Sequence, residues 1–95
     1  MKKDIQNLRQ QILPILRQHQ VIKASLFGSY AKGTMNKGSD IDILVRLRKG
    51  ASLLDFVGMK QDLEHSLKRK VDLVEYGTIK PLLKESIMRN RIELI

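Results

Sequence analysis

Cysteine is absent from the 95 residues, so the chain has neither a disulfide framework nor a thiolate metal site. Histidine occurs only at His19 and His65, too few for a zinc cluster and suited to the surface of helices. Aromatic residues amount to 4%, namely Phe27, Tyr30, Phe56 and Tyr76, which is too thin for the stacked platforms that hold single-stranded nucleic acid. No apolar run is long enough to cross a bilayer, and the lysines near the N-terminus are not followed by a continuous apolar stretch. These absences lead to the expectation of a soluble, cytoplasmic protein with no membrane partner.

Acidic residues are also scarce, 10 against 18 lysines and arginines, giving a formal charge of +8 and a pI near 10.1. Such an excess calls for an anionic partner: a nucleotide, an RNA or an acidic protein face. Composition does not choose among these. The basic residues gather at Arg46-Leu47-Arg48-Lys49, Lys68-Arg69-Lys70 and Arg89-Asn90-Arg91, each of which also fits a solvated helix end or loop. A chain of this length makes one small domain, spanning residues 1–95, with a modest core and no room for a second, substrate-binding domain.

Ile5, Leu8, Ile12, Ile15 and Leu16 recur at helical spacing over residues 3–19, which predicts an amphipathic helix that Pro14 should kink or split. Residues 24–27 then read as a short strand. A polar loop, residues 33–38, leads to a second strand beginning near Ser39, after which Ser52 and Asp55 have the spacing of a capping box. The helix behind that box should bury Leu53, Phe56, Val57, Leu63 and Leu67, with Gly58 marking a possible close backbone contact. Val71-Asp72-Leu73-Val74-Glu75 predicts a third strand, with Asp72 and Val74 on one face and Glu75 solvated. Pro81 fits the first turn of a last helix, whose buried side would be Leu82, Leu83, Ile87 and Met88, and residues 91–95 suggest an edge strand.

Two stretches carry chemistry. The first is Gly28-Ser29-Tyr30-Ala31-Lys32-Gly33, where a strand turns sharply into a brief helix. Unpaired N–H groups at a helix start attract anions, glycine lets a phosphate come close, and the Ser29 hydroxyl adds a donor. Thr34 stands where a Walker motif needs lysine, so this is not a P-loop. The second stretch is Ser39-Asp40-Ile41-Asp42. In an extended strand Asp40 and Asp42 share a face, opposite Ile41, Ile43 and Val45, and paired carboxylates suit Mg²⁺ together with substrate phosphates. An anion site facing paired carboxylates implies a metal-bound nucleotide.

Gly28-Ser29 with Ala31-Lys32-Gly33, then Ser39-Asp40-Ile41-Asp42, and later Asp72, resembles the nucleotidyltransferase signature of the DNA polymerase beta-like superfamily. More narrowly, nearly the whole chain resembles a minimal nucleotidyltransferase, the antitoxin half of a HEPN/MNT toxin-antitoxin pair. The resemblance implies an α+β fold, a small mixed sheet flanked by helices in a single domain. It implies catalytic and metal-binding roles for Asp40, Asp42 and Asp72, and nucleotide-binding roles for Gly28, Ser29, Lys32 and Ser39. Lys32 departs from the family's usual arginine, a point charge in place of a directional fork.

By the same resemblance, two Mg²⁺ ions would assist in-line displacement at the α-phosphorus of ATP, moving AMP to a hydroxyl, expected to be a tyrosine of a HEPN-type toxin. A contact antitoxin that inhibits its partner by binding, with little or no catalysis, is the alternative that an intact acid triad disfavours. A nucleic-acid-binding module would account for the charge of +8 but not for paired aspartates that repel phosphate. Direct nucleic-acid binding is therefore not expected. Tyr30 fits packing or ligand contact, and Lys32 fits solvation or ligand contact.

Overall fold

The computed structural model describes residues 2–33 and 40–95, with helix α1 at Lys2–Gln18, strand β1 at Lys23–Phe27, helix α2 at Gly28–Lys32 and strand β2 at Ile41–Arg46. Helix α3 (Leu53–Leu67), strand β3 (Val71–Glu75), a 3-10 turn (Tyr76–Thr78), helix α4 (Pro81–Arg89) and strand β4 (Ile92–Glu93) complete it. The strands form one mixed sheet in the order β3-β2-β1-β4, with β2 parallel to β3 and β1 antiparallel to both β2 and β4. This is the small mixed sheet flanked by helices that the family resemblance implies.

One face of the sheet carries Ala24, Leu26, Ile41, Ile43, Val45, Val71 and Leu73, all buried beneath α1 and α3. From α1 come Leu8, Ile12 and Leu16, four residues apart and thus stacked on one side of the helix. Pro14 does not split α1, which is unbroken through residue 18. The proline is exposed, and so is Gln10, whose carbonyl loses its partner to the ring; water can take that place. The helix ends where Gln20 adopts a left-handed conformation (φ 58°), with bonds from Gln20 N to Arg17 O and from Val21 N to Leu16 O. That pair of bonds is a Schellman ending, with glutamine where glycine is usual.

Helix α3 opens with the expected capping box. Asp55 N donates to Ser52 Oγ at 3.2 Å, and Ser52 N donates to Asp55 Oδ2 at 2.9 Å. These bonds hold the Asp55 carboxyl below its ordinary pKa. On the buried side of α3, Leu63 and Leu67 are covered as expected and Phe56 packs partly against the core, but Leu53 is 77% exposed and Val57 is also exposed, and the unpredicted Met59 is buried instead. In the first turns only Phe56 packs against the core, partly buried, while Leu53, Leu54 and Val57 face outward. Gly58 makes no close approach, because a Cβ placed there would meet nothing within 4 Å.

The other sheet face holds Ser25, Leu44 and Val74, partly roofed by Tyr76, whose hydroxyl shares a buried 2.7 Å hydrogen bond with Ser25 Oγ. Helix α4 begins at Pro81 as expected but buries none of its residues fully, and Leu82 is 95% exposed. Its helical spacing is therefore not the mark of a core-facing side. Glu75 is not simply solvated: its Oε2 accepts from Gly77 N at 2.7 Å and caps the 3-10 turn.

Candidate active site

Strand pairing brings the two motifs together. In the parallel ladder Asp42 is the direct partner of Asp72, and in the antiparallel ladder it is the partner of Phe27. Residues paired in register point to the same side, so the carboxylates of β2 and β3 share the face opposite the core. Gly28 follows Phe27 directly and so arrives beside Asp42. A Cβ at Gly28 would lie 3.0 Å from Asp42 Cγ and closer still to the carboxylate, and the residue has φ +69°. Both the close approach and the backbone angle demand glycine at this position.

Asp42 is half-buried, and its pKa is raised from 3.8 to about 6. Burial is the largest cause, followed by the charges of Asp72 and Asp40 and by a hydrogen bond with Asp72. Asp40, immediately before β2, and Asp72 are both exposed. The negative charges of Asp72 and Asp40 thus bear on Asp42 from the same region of the sheet. The donor set is oxygen only, which a hard divalent cation accepts, and the repulsion that raises Asp42 is what such a cation would relieve. The carboxylates are not yet gathered on one point: among the described residues no three acids or histidines are placed to hold a metal ion as they stand.

Beside them, α2 starts with no side-chain cap on its first turn, leaving its N–H groups without a side-chain acceptor. Ser29 is half-buried and Lys32 is exposed. Ser39 lies outside the described residues. Tyr30 is a packing residue, 3% exposed, and its hydroxyl accepts from Arg69, whose guanidinium lies 5.3 Å from the ring centre. Sequence reasoning treated Arg69 as part of a basic run and gave no sign of this bond, which ties α2 to the turn before β3. His19 lies 2.8 Å from Asp62, and His65 is exposed on α3.

A glycine turn set against strand-borne aspartates on a mixed sheet defines the site class of nucleotidyl transfer. The chain matches the nucleotidyltransferase domain family over residues 9–94 and belongs to it. A protein of Methanocaldococcus jannaschii, provisionally named a protein adenylyltransferase, is 44% identical over 97% of this chain and 99% of its own length. Among solved structures, one provisionally described as a minimal nucleotidyltransferase has 32% identity and TM-score 0.81, over 95% of this chain and 92% of that one. A toxin-antitoxin structure with AMP-PNP has 28% identity and TM-score 0.78, over 92% and 72%. The complex of a tri-AMPylated Shewanella oneidensis HEPN toxin with its MNT antitoxin has 25% identity and TM-score 0.73, over 95% and 71%. The present chain is thus a minimal nucleotidyltransferase in fold and family.

Proposed function

We propose that this nucleotidyltransferase moves AMP from ATP to a tyrosine hydroxyl of a HEPN-type toxin and acts as its antitoxin. The observation that carries the reading is the register of Asp42 with Asp72 beside the Gly28 turn. The similarity to a protein adenylyltransferase and to a complex holding an AMPylated toxin supports the choice of group and acceptor. Gly28, Ser29 and the open N–H groups of α2 hold the phosphates, with Lys32 as a nearby positive charge and the Ser39 hydroxyl as a further hydrogen-bond donor to them. Asp40, Asp42 and Asp72 are the residues that would hold Mg²⁺, two ions in this reading, which when bound would stabilise charge on the entering and leaving oxygens.

The acceptor oxygen forms a bond to the α-phosphorus as the bond to pyrophosphate breaks. Its proton passes to the Asp72 carboxylate and then to solvent. In this reading the partner carries the acceptor hydroxyl to the exposed face on which Asp40 and Asp72 lie.

Intact-mass measurement of the partner toxin after incubation with the chain, ATP and Mg²⁺ tests this. We expect one or more added adenylyl groups with the wild type and none with Asp40→Asn or Asp42→Asn. If Asp72 serves mainly as the proton acceptor, Asp72→Asn should lower kcat about 10²–10⁴-fold while ATP affinity changes little, whereas an equal loss of ATP affinity would make it a metal ligand first. No mass increase with the wild type, combined with full inhibition of the toxin by a variant lacking all three acids, would leave contact inhibition as the activity.

A further inference from the structure

We infer that Arg69 is a positioning residue for the transfer, and that its bond to Tyr30 sets the phosphate-holding helix α2 against the strand that carries Asp72. The inference rests on the proposed nucleotidyl transfer and assigns a role in it to two side chains that it otherwise leaves unused. Helix α2 has only five residues, and helices that short keep their place through tertiary packing rather than on their own. Tyr30 is its one fully buried residue, set in the hydrophobic core. The glycine turn and the open N–H groups behind it are therefore anchored through this side chain, whose hydroxyl accepts from the Arg69 guanidinium.

At the other end of that bond, Arg69 stands in the turn between α3 and β3, three positions before Asp72. Lys68, left-handed at φ 54°, ends α3 and starts the turn. Two backbone bonds fix the turn on further sides: Lys70 O accepts at 3.0 Å from the N–H of Ile41, the residue between Asp40 and Asp42, and Val71 N donates to Glu64 Oε2 at 3.0 Å. A strut from this turn to Tyr30 thus joins the backbone that would hold the phosphates to the segments that carry the acids. Such a joint bears on rate more than on binding. Gly28, Ser29 and the N–H groups of α2 travel with α2 wherever it sits, whereas in-line transfer needs the phosphorus and the acids in one arrangement, and a misplacement of about 1 Å can cost about 10²-fold. Arginine suits the part, because its guanidinium stays charged and donates in a fixed plane to an oxygen whose ring is locked by packing.

Transfer kinetics at saturating partner toxin, together with calorimetric affinities for ATP with Mg²⁺, test this in the full chain below the melting temperature of each variant. Tyr30→Phe keeps the packed ring and removes the accepting oxygen, and Arg69→Met keeps an extended side chain and removes the donor. Each should lower kcat about tenfold or more and leave ATP affinity within about twofold of the wild type. The double variant should fall no further than the more impaired single one, because both changes remove the same bond. Arg69→Lys keeps a donor but loses the plane, so it should retain more of the rate than Arg69→Met. Full activity in Tyr30→Phe, or additive losses in the double variant, would overturn the role and show that Arg69 acts apart from Tyr30. Parallel losses of kcat and ATP affinity would overturn it too, since a bond that only keeps α2 folded would weaken both. In each of those outcomes the wild type still transfers and the proposed function stands. A wild type that transfers no AMP would instead remove that function and the positioning role with it.

Discussion

Asp42 keeps its proton to about pH 6 because it is half-buried and faces two other acids. The folded pKa lies above the unfolded value of 3.8, so the folded chain binds this proton more tightly. The stability it contributes is fully present below about pH 3.8 and is lost as pH rises through about 6. In metal-free protein, Asp42→Asn should therefore flatten the fall in melting temperature between pH 4 and 7, and at pH 7 it should hold or raise the melting point. Divalent cation reverses the preference, since it binds the ionised form, so Mg²⁺-dependent ATP binding by the wild type should strengthen as pH rises through about 6. Thermal melts across that range, with and without Mg²⁺, check both signs. A variant that melts lower at pH 7 without metal would show that the carboxylate is a structural group.

At the scale of elements, Gly58 is a helix-interior glycine with neither a neighbour nor a positive φ to require it. Gly58→Ala should stabilise the chain by about 0.5–1 kcal/mol, through lower chain entropy in the unfolded state and better helix propensity. For a domain of this size that is a rise in Tm of roughly 2–8 °C, measurable by circular dichroism. A fall in Tm would mean that the α3 surface at residue 58 is tightly packed after all. The same helix shows what the sequence could and could not reveal. Its start was legible because the Ser52 and Asp55 box is a local arrangement of side chains and backbone. Its buried side was legible only in part: Leu63, Leu67 and Phe56 meet the core as expected, but whether Leu53 or Met59 does so depends on how the helix is set against the sheet, a tertiary matter. Helix α4 repeats the lesson, with an apolar pattern but no fully buried residue. The acids were legible because strand alternation fixes the face of Asp42. The pairing of Asp72 with Asp42 in register is a long-range fact that only the family resemblance implied.

At the scale of the whole molecule, the formal charge of +8 is distributed less freely than the sequence suggests. Arg48 lies 3.3 Å from Asp55, Arg89 pairs with Glu85 at 2.8 Å, and Arg69 is engaged with Tyr30. Lys23, Arg46 and Lys84 instead converge on one pocket of about 660 Å³ on the face that bears the acids, beyond Leu44 and Tyr76. Lys23 and Arg46 each lie 5.7 Å from the Tyr76 ring, and none of the three cations forms an ion pair among the described residues. Arg46 stands four positions after Asp42 along β2, roughly 13 Å of extended chain, so this charge is close enough to guide a partner to the acids without touching the nucleotide. Electrostatic guidance acts on encounter and is screened beyond about a Debye length, roughly 8–10 Å at physiological salt. The association rate with a toxin of acidic surface should therefore fall steeply between low and physiological salt, while dissociation changes little. The double variant Arg46→Glu with Lys84→Glu should slow association by about tenfold or more at low salt. It should leave ATP affinity near the wild-type value. Stopped-flow or surface-based kinetics at several salt concentrations measure both rates. A salt-independent association rate, unaltered by the double variant, would show that shape and apolar contact alone bring the partner to the site.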